Sequence, residues 1–195
     1  MISGLAFGCA CTRKTLAKAD GSRVYPGFCR SGLPKGTAPR SWRFKMPRGV
    51  SLSWHDRVVG RQSYSPDSVG DVTLLRADGH WAYHLAVVVD DADQEVTDIV
   101  RGADLISSTA AHVGIQRALG IPKPKYAHVP LVLNAEGQKL SKQTLARPVE
   151  IKDSREVLSM VFKHLSLPED MSSHPRDMMS SAIKHWGKKW KEEDE

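Results

Sequence analysis

A continuous apolar run, HLAVVVDD at residues 84–91, constrains the fold of this 195-residue chain more than any other feature. An uninterrupted run rich in β-branched residues is typical of a strand buried on both faces of a parallel sheet. Two further strands are predicted from VTDIVRGADL (96–105) and YAHVPLVLN (126–134). The sequence therefore predicts several strands close together near its centre.

A helix is predicted between the last two of these strands. In SSTAAHVGIQRALG (107–120), Ser108 or Thr109 can cap the first turn and Gly120 ends the helix. Strand, helix and strand in this order form a βαβ unit, which indicates an α/β fold with a doubly wound parallel sheet. Ligands of such sheets bind at the carboxyl ends of the strands.

The flanking segments extend this pattern. SWRFKMP (41–47) predicts a strand with one solvent-facing side, and DVTLLRADGHWAYHLAVVV (71–89) predicts two strand-like runs joined by a turn at ADG. After residue 150 the sequence predicts helices, the first of them capped by Ser154. Their packing faces are predicted at Val157, Met160, Val161 and Leu165, and at Ile183, Trp186 and Trp190.

Positive charge is concentrated in the first 70 residues, which hold twelve Lys or Arg against three acids, while the whole chain has a net charge of +6. A basic half indicates a polyanionic partner such as RNA or DNA, and a merely solvated basic face is the alternative. No apolar run of about 18 residues occurs, so we expect no membrane span. The first residues lack a signal-peptide pattern, and we expect a cytoplasmic monomer.

The three cysteines, Cys9, Cys11 and Cys29, cluster in a segment rich in Gly and Pro. An odd number of clustered thiols favours a zinc site over a disulfide scaffold, and three unrelated reduced thiols are the alternative. Structural zinc takes four ligands. The candidates for the fourth are Tyr25, Asp20, His55 and a water molecule.

A lysine-containing loop, EGQKLSKQT (136–144), follows the last predicted strand. Lys139 and Lys142 lie three residues apart, so a bent loop can bring both ammonium groups to one anion. A loop that closes over phosphates would stabilise a charged transition state. On its own KLSK is a short, common pattern, and a solvated turn is the alternative.

Three segments together resemble one enzyme family. YAHVPLVLNAEGQKLSKQ resembles the KMSKS-type signature of class I aminoacyl-tRNA synthetases, and WAYHLAVVVDDADQEVTDIVRGADLISST resembles the glutamate-specific branch. CAC with YPGFC looks like the zinc motif of one member family. In colinear order over residues 5–150 they match the glutamyl-queuosine tRNA(Asp) synthetases, shortened paralogues of glutamyl-tRNA synthetase. The resemblance implies a partial Rossmann-type class I core with a zinc-binding insertion and C-terminal helices.

The resemblance also implies an activity and its residues. Family members activate glutamate with ATP and Mg²⁺, then transfer it to queuosine in the anticodon of tRNA(Asp). Tyr83 and Arg101 would contact glutamate, and the alternatives are a strand side chain in the core and a surface ion pair. Lys139 and Lys142 would bind the ATP phosphates, with Lys142 as the catalytic lysine. Zinc would be held by Cys9, Cys11, Tyr25 and Cys29.

The resemblance begins in mid-domain. Family members carry an HxGH-type signature ahead of the zinc motif, whereas the first histidine here is His55 and no HxGH pattern occurs. Adenylate formation depends on positioning and charge stabilisation at both ends of the triphosphate. We therefore expect a truncated form with impaired activity.

Four regions are expected along the chain. They are a basic zinc-binding region at 1–70, the second half of the nucleotide-binding core with the KLSKQ loop at 71–150, a helical region at 151–190 and a disordered tail at 191–195. Asp90, Asp91 and Asp104 are expected at or just beyond strand ends. There they would orient glutamate or ribose, or simply cap turns.

Two other functions stay open from the sequence. One is a fragment of glutamyl-tRNA synthetase, which continues past its lysine loop into a large anticodon-binding region. Here only about 50 residues follow the loop, which favours the queuosine-directed family. The other is a zinc-containing RNA-binding remnant without catalysis, for which the basic first third would suffice; an inert, poorly folded product is a further alternative.

Overall fold

The computed structural model describes residues 4–17, 24–141, 146, 148–149, 151–168 and 174–189. The strands are β1 (Ala6–Cys9), β2 (Ser41–Phe44), β3 (Leu52–Asp56), β4 (Gly60–Tyr64), β5 (Thr73–Leu75), β6 (Asp98–Gly102) and β7 (Lys125–Val129). The α-helices are α1 (Arg13–Ala17), α2 (Pro66–Val69), α3 (Tyr83–Asp93), α4 (Ile106–Leu119), α5 (Ser154–His164) and α6 (Pro175–Lys189). None of the helices in these ranges is long and apolar enough to cross a membrane.

Two sheets organise the strands. The first has the order β1-β2-β5 and is antiparallel. The second has the order β4-β3-β7-β6, in which β3 pairs with β4 antiparallel and with β7 in parallel. Because β6 and β7 are neighbours in the sheet and α4 connects them in sequence, the predicted βαβ unit and the α/β class are confirmed.

The apolar run at residues 84–91 is not the strand that its composition predicts, because it lies in α3. Leu85 and Val88 are three residues apart and both pack against the core, whereas Asp90 is exposed. Packing against α4 thus overrides the β preference of the branched side chains. The strand prediction was wrong, and Asp90 and Asp91 lie in the second half of a helix rather than at a strand end.

Helix α4 is the most buried element of the first core. Its residues from Thr109 to Gln116 are all buried, so it is enclosed rather than amphipathic. It begins at Ile106, earlier than predicted, and Thr109 donates its hydroxyl to the carbonyl of Leu105 instead of capping the first turn. Gly120 ends the helix as predicted, in the left-handed conformation with φ +68°.

Strand β7 is shorter than the predicted strand because Pro130, which has no N–H to donate, follows Val129. Beyond it the chain forms a small hairpin in which Leu133 pairs with Lys139. The turn of this hairpin uses Gly137, whose φ of +75° favours glycine. Lys139 therefore projects from a hairpin arm rather than from an open loop.

The chain divides into two compact units. The first comprises Met1–Asp56, Gly60–Ile99 and Leu105–Tyr126, and the second comprises Arg57–Val59, Val100–Asp104 and Ala127–Glu195. Each has its own hydrophobic cluster. The main cluster of the first unit consists of Phe44, Met46, Leu52, Trp54, Val88, Ala110, Ala111, Val113, Ile115 and Tyr126, and that of the second of Phe162, Leu167, Met178 and Ala182.

The C-terminal helices exist as predicted, but their inner faces differ from the prediction. In α5 the buried residue is Phe162, whereas Met160 is 66% exposed. In α6, Ile183 is also exposed and Met178 is buried. The predicted face was therefore wrong at Met160, Val161 and Ile183, while Trp186 does pack against the cluster. Trp190 and the tail 191–195 lie outside the described residues.

Candidate metal centre and ligand-binding residues

The end of strand β1 and the loop between α1 and β2 bring the three cysteines together. Cys9 is the last residue of β1, where pairing with β2 places it opposite Ser41 and buries it completely. Tyr25 and Cys29 lie in the following loop and are also buried. Among the described residues, Cys9, Cys11 and Cys29 form a group whose sulfur atoms all lie within 4.8 Å of one another. His55 does not belong to this group, and Asp20 lies outside the described residues.

The hydroxyl oxygen of Tyr25 lies among these sulfurs. It is 3.5 Å from Cys9 Sγ and 3.8 Å from Cys11 Sγ, and the sulfurs of Cys11 and Cys29 are 3.7 Å apart. The backbone N–H of Cys29 donates to the same oxygen over 2.9 Å. The structure thus brings together the four donors that the resemblance implies.

These distances fit one tetrahedral ion. With Zn–S bonds of about 2.3 Å, two sulfurs at the tetrahedral angle are about 3.8 Å apart, and an oxygen ligand at about 2.0 Å lies about 3.5 Å from each sulfur. The 3.7 Å between the sulfurs of Cys11 and Cys29, and the 3.5 and 3.8 Å from the Tyr25 oxygen to the sulfurs of Cys9 and Cys11, are close to these values. The donor set therefore fits zinc in its geometry and in its soft thiolate chemistry.

The protonation states of the metal-free donors differ. Burial alone would raise the pKa of Cys9, but hydrogen bonds with Tyr25, Arg43 and the backbone of Cys11 outweigh it and lower the pKa to about 7. Burial, together with the neighbouring Cys29 and Cys9, raises the pKa of Cys11 to about 11. Burial and the surrounding thiols also raise the pKa of Tyr25. A metal ion must therefore displace protons from Cys11 and Tyr25.

The predicted glutamate ligand Arg101 lies in β6 and is held by a histidine. Its Nε donates to Nε2 of His128 over 3.2 Å. His128 is fully buried in β7, so it offers Arg101 a fixed partner. Arg101 is half-buried rather than fully exposed, and His128 is a residue that the sequence did not single out.

The other predicted glutamate ligand, Tyr83, is the first residue of α3 and is 49% exposed. It is therefore neither a strand residue nor a core residue. Its ring lies 5.6 Å from the ring of His84 and 5.5 Å from that of His112, measured between centroids. Nδ1 of His84 and Nε2 of the buried His112 are 3.2 Å apart. Two histidines from different helices thus support the tyrosine.

The predicted phosphate ligand Lys139 contacts an acid in this ligand-free structure. Its Nζ lies 2.5 Å from Oδ2 of Asp104, in the 3-10 turn that follows β6. The hydrogen bond from Lys139 lowers the pKa of Asp104. Lys142 lies outside the described residues. The prediction that Tyr83, Arg101 and Lys142 share one pocket stays a prediction.

The sequence from residue 31 to residue 163 matches the family model of tRNA synthetases class I (E and Q), catalytic domain. This match covers more than half of the chain, so the fold with its βαβ unit is that of a class I tRNA synthetase catalytic domain. The chain is 47% identical to the Glutamyl-Q tRNA(Asp) synthetase of Leptothrix cholodnii, over 96% of this chain and 68% of the relative. It belongs to the family of these synthetases.

A second relative and two solved structures agree with this assignment. The Glutamyl-Q tRNA(Asp) synthetase of Aromatoleum aromaticum is 44% identical over 94% of this chain and 60% of its own length. The glutamate-tRNA synthetase of Elizabethkingia anophelis matches with a TM-score of 0.60 and 28% identity over 71% of this chain and 32% of its own. A glutamate tRNA ligase from Elizabethkingia meningosepticum, in complex with its amino acid, matches with a TM-score of 0.61 and 27% identity. The match covers 74% of this chain and 34% of the ligase. The chain thus spans about two thirds of the curated relatives' length.

Proposed function

We propose that this chain belongs to a ligase that activates glutamate with ATP and Mg²⁺ and transfers it to queuosine in the anticodon of tRNA(Asp). The observation that carries this proposal is the 47% identity, over nearly the whole chain, to a relative named Glutamyl-Q tRNA(Asp) synthetase. The basic first 70 residues supply positive charge for a tRNA partner.

Arg101 binds a carboxylate of glutamate in this proposal. A guanidinium pairs with a carboxylate through two parallel hydrogen bonds, which fixes the orientation of both groups. The bond from Arg101 Nε to the buried His128 supports this role because it fixes the guanidinium plane before substrate arrives. Tyr83 supplies a second contact to glutamate from its exposed position at the start of α3.

Lys139 and Lys142 bind the ATP phosphates, and Lys142 stabilises the charge that develops on them during adenylate formation. In the ATP-free state the carboxylate of Asp104 forms an ion pair with the ammonium group of Lys139. ATP must replace this carboxylate, so the Lys139–Asp104 pair holds the hairpin in place until the nucleotide arrives.

Zinc is the metal that we assign to Cys9, Cys11, Tyr25 and Cys29. The ion would serve as a structural centre, since four protein ligands leave no open position for substrate. It would supply a cross-link between the end of β1 and the following loop, in a region whose own hydrophobic cluster is small. Metal analysis of the purified chain should give one zinc per polypeptide, and a Tyr25→Phe variant should bind zinc more weakly.

Transfer of radioactive glutamate to tRNA tests the proposed substrate. Incubation with ATP, Mg²⁺ and queuosine-containing tRNA(Asp) should label the tRNA, and ribonuclease digestion should place the label on the anticodon fragment. The same tRNA without queuosine is the matched control and should stay unlabelled. Label on the 3′ end of tRNA(Glu) would instead support a glutamyl-tRNA synthetase fragment. Salt-sensitive tRNA binding with no ATP dependence would support an RNA-binding remnant.

Exchange of pyrophosphate into ATP tests the activation step of the 195-residue polypeptide alone. We propose that these 195 residues alone have impaired activity, because their sequence contains no HxGH signature to stabilise the phosphates opposite the lysine hairpin. Glutamate-dependent exchange should therefore be far below ordinary synthetase turnover. Ordinary turnover would contradict the proposed impairment while leaving the ligase assignment intact.

A further inference from the structure

An arginine side chain lies directly against the candidate metal centre. Arg43 is in the middle of β2, where its neighbour in β1 is Phe7. Its guanidinium carbon lies 3.9 Å from the centroid of the Tyr25 ring, a distance typical of a cation–π contact. Its interaction with Cys9 also lowers the pKa of that thiol. One cation thus contacts two of the four proposed ligands.

Asp71 fixes this arginine from the other side. Its backbone carbonyl accepts a hydrogen bond of 2.9 Å from Nη1 of Arg43. Its carboxylate, which is almost fully buried, accepts hydrogen bonds from Nη1 of Arg30 and from the backbone N–H of Met46. Arg30 directly follows the ligand Cys29, and Arg43 contacts the ligand Tyr25. Asp71 therefore connects the residues next to these two ligands.

Close backbone packing holds the same loop against Tyr25. Gly70 has φ +72°, and a Cβ at this position would come within 2.6 Å of Cγ1 of Val24 and 3.3 Å of the backbone nitrogen of Tyr25. The loop that carries Asp71 therefore lies directly on the segment that carries the tyrosine. Such tight packing leaves little room for either segment to move.

One N–H of the Arg43 guanidinium has no acceptor among the residues described for the metal-free protein. Nε of Arg43 is buried and has no hydrogen-bond partner within the described part of the chain. Arginine is always charged, and a buried donor without an acceptor is unfavourable. Three thiolates and a phenolate around one Zn²⁺ would carry an excess of two negative charges, one of which the neighbouring Arg43 would offset.

We propose that Arg43 is the positioning residue of the metal centre, holding the Tyr25 ring so that its oxygen meets the three sulfurs and balancing the charge of the bound ligands. This inference rests on the proposed zinc site. It assigns to Arg43, through Asp71, the role that outer partners of metal ligands play: they orient the ligand and tune its charge.

Zinc affinity of matched variants tests this role. Competition with a chromophoric chelator should show that Arg43→Gln weakens zinc binding by about 10- to 100-fold, the usual effect of removing an outer partner. The zinc affinity of Arg43→Lys should lie between those of wild type and Arg43→Gln, because lysine keeps the charge but loses the planar contact with the ring. Arg61→Gln removes an exposed arginine from β4 and should leave the affinity unchanged.

A double-mutant cycle separates positioning from a general loss of stability. If Arg43 acts through Tyr25, then adding Arg43→Gln to Tyr25→Phe should weaken zinc binding much less than Arg43→Gln does alone. The absorption spectrum of the cobalt-substituted protein should change in the same way in both single variants, since each removes or misplaces the oxygen ligand. Denaturant unfolding of each chelator-treated variant checks that the variant is folded before zinc is added.

The possible failures are distinguishable. Wild-type protein that binds no zinc would overturn the proposed centre and this inference with it. Wild-type protein that binds zinc no more tightly than Arg43→Gln, or losses that simply add in the double variant, would overturn the role of Arg43 alone.

Discussion

A phenol is a more demanding zinc ligand than a thiol because its ordinary pKa is about 10 rather than about 8.5. At Tyr25 burial raises the pKa further in the metal-free protein. Two contacts work in the opposite direction: the N–H of Cys29 donates to the oxygen, and the guanidinium of Arg43 lies over the ring. Both favour the phenolate, so these neighbours prepare Tyr25 for a cation although it is protonated without one.

The number of protons released on zinc binding should depend on pH through Cys9. Only the thiolate binds zinc, so affinity should weaken as pH falls. With a pKa of about 7, Cys9 is mostly protonated at pH 6 and mostly ionised at pH 8. The protons released should therefore decrease by about 0.8 between pH 6 and pH 8.

Calorimetric titration of zinc in buffers with different ionisation enthalpies measures this release. The ultraviolet absorbance of the thiolates in the metal-free protein is the control, because it follows the ionisation of Cys9 without zinc. A proton count that stays constant between pH 6 and pH 8 in the wild type would show that the pKa of Cys9 is not near 7.

The ligands of the proposed centre could be predicted from sequence, but their support could not. Cysteine spacing indicates a metal without any structure, and the resemblance adds Tyr25. Arg43 and Asp71 are 18 and 46 residues from Tyr25 in sequence, and only sheet pairing and loop packing bring them close. His128 could not be predicted as the support of Arg101 either, because the two residues lie on neighbouring strands and are 27 residues apart in sequence.

Helix α3 shows why composition was misleading for a whole segment. Three consecutive valines favour a strand locally, yet a strand would need both faces covered. The structure instead packs Leu85 and Val88, three residues apart, against the core and leaves Val89 44% exposed, which is the spacing of a helix with one covered side. Helix α4, by contrast, was predicted correctly in kind because Gly120 gives a strong local stop signal.

The start of α5 provides a test of local structure. Asp153, not the predicted Ser154, is the N-cap: its Oδ1 accepts from the N–H of Glu156 over 3.2 Å. Asp153→Ala should therefore lower the free energy of unfolding of the second unit by about 1 kcal/mol, while Ser154→Ala should change it little. Chemical unfolding followed by circular dichroism compares the two. Equal losses would mean that the aspartate does not cap the helix.

Two separate hydrophobic clusters organise the chain as a whole. The α/β class and the C-terminal helices could be predicted from sequence because strand and helix periodicities are local signals. The division into units could not, since residues 57–59 and 100–104 belong to the second unit although the first surrounds them in sequence. The candidate metal centre lies entirely in the first unit, and the Phe162 cluster lies entirely in the second.

Removal of zinc should therefore loosen one unit and spare the other. The cluster of Phe7, Cys9, Tyr25 and Cys29 is small, so the ion would supply much of the local stability around it. A local loss of about 1.4 kcal/mol makes amide exchange about tenfold faster. Hydrogen exchange with mass spectrometry should show at least this increase after chelation in peptides from residues 5–11 and 24–31. Peptides from α5 and α6 should be unchanged, and a Cys29→Ser variant should not respond to chelator. Equal acceleration in both units would show that zinc stabilises the chain as one cooperative body.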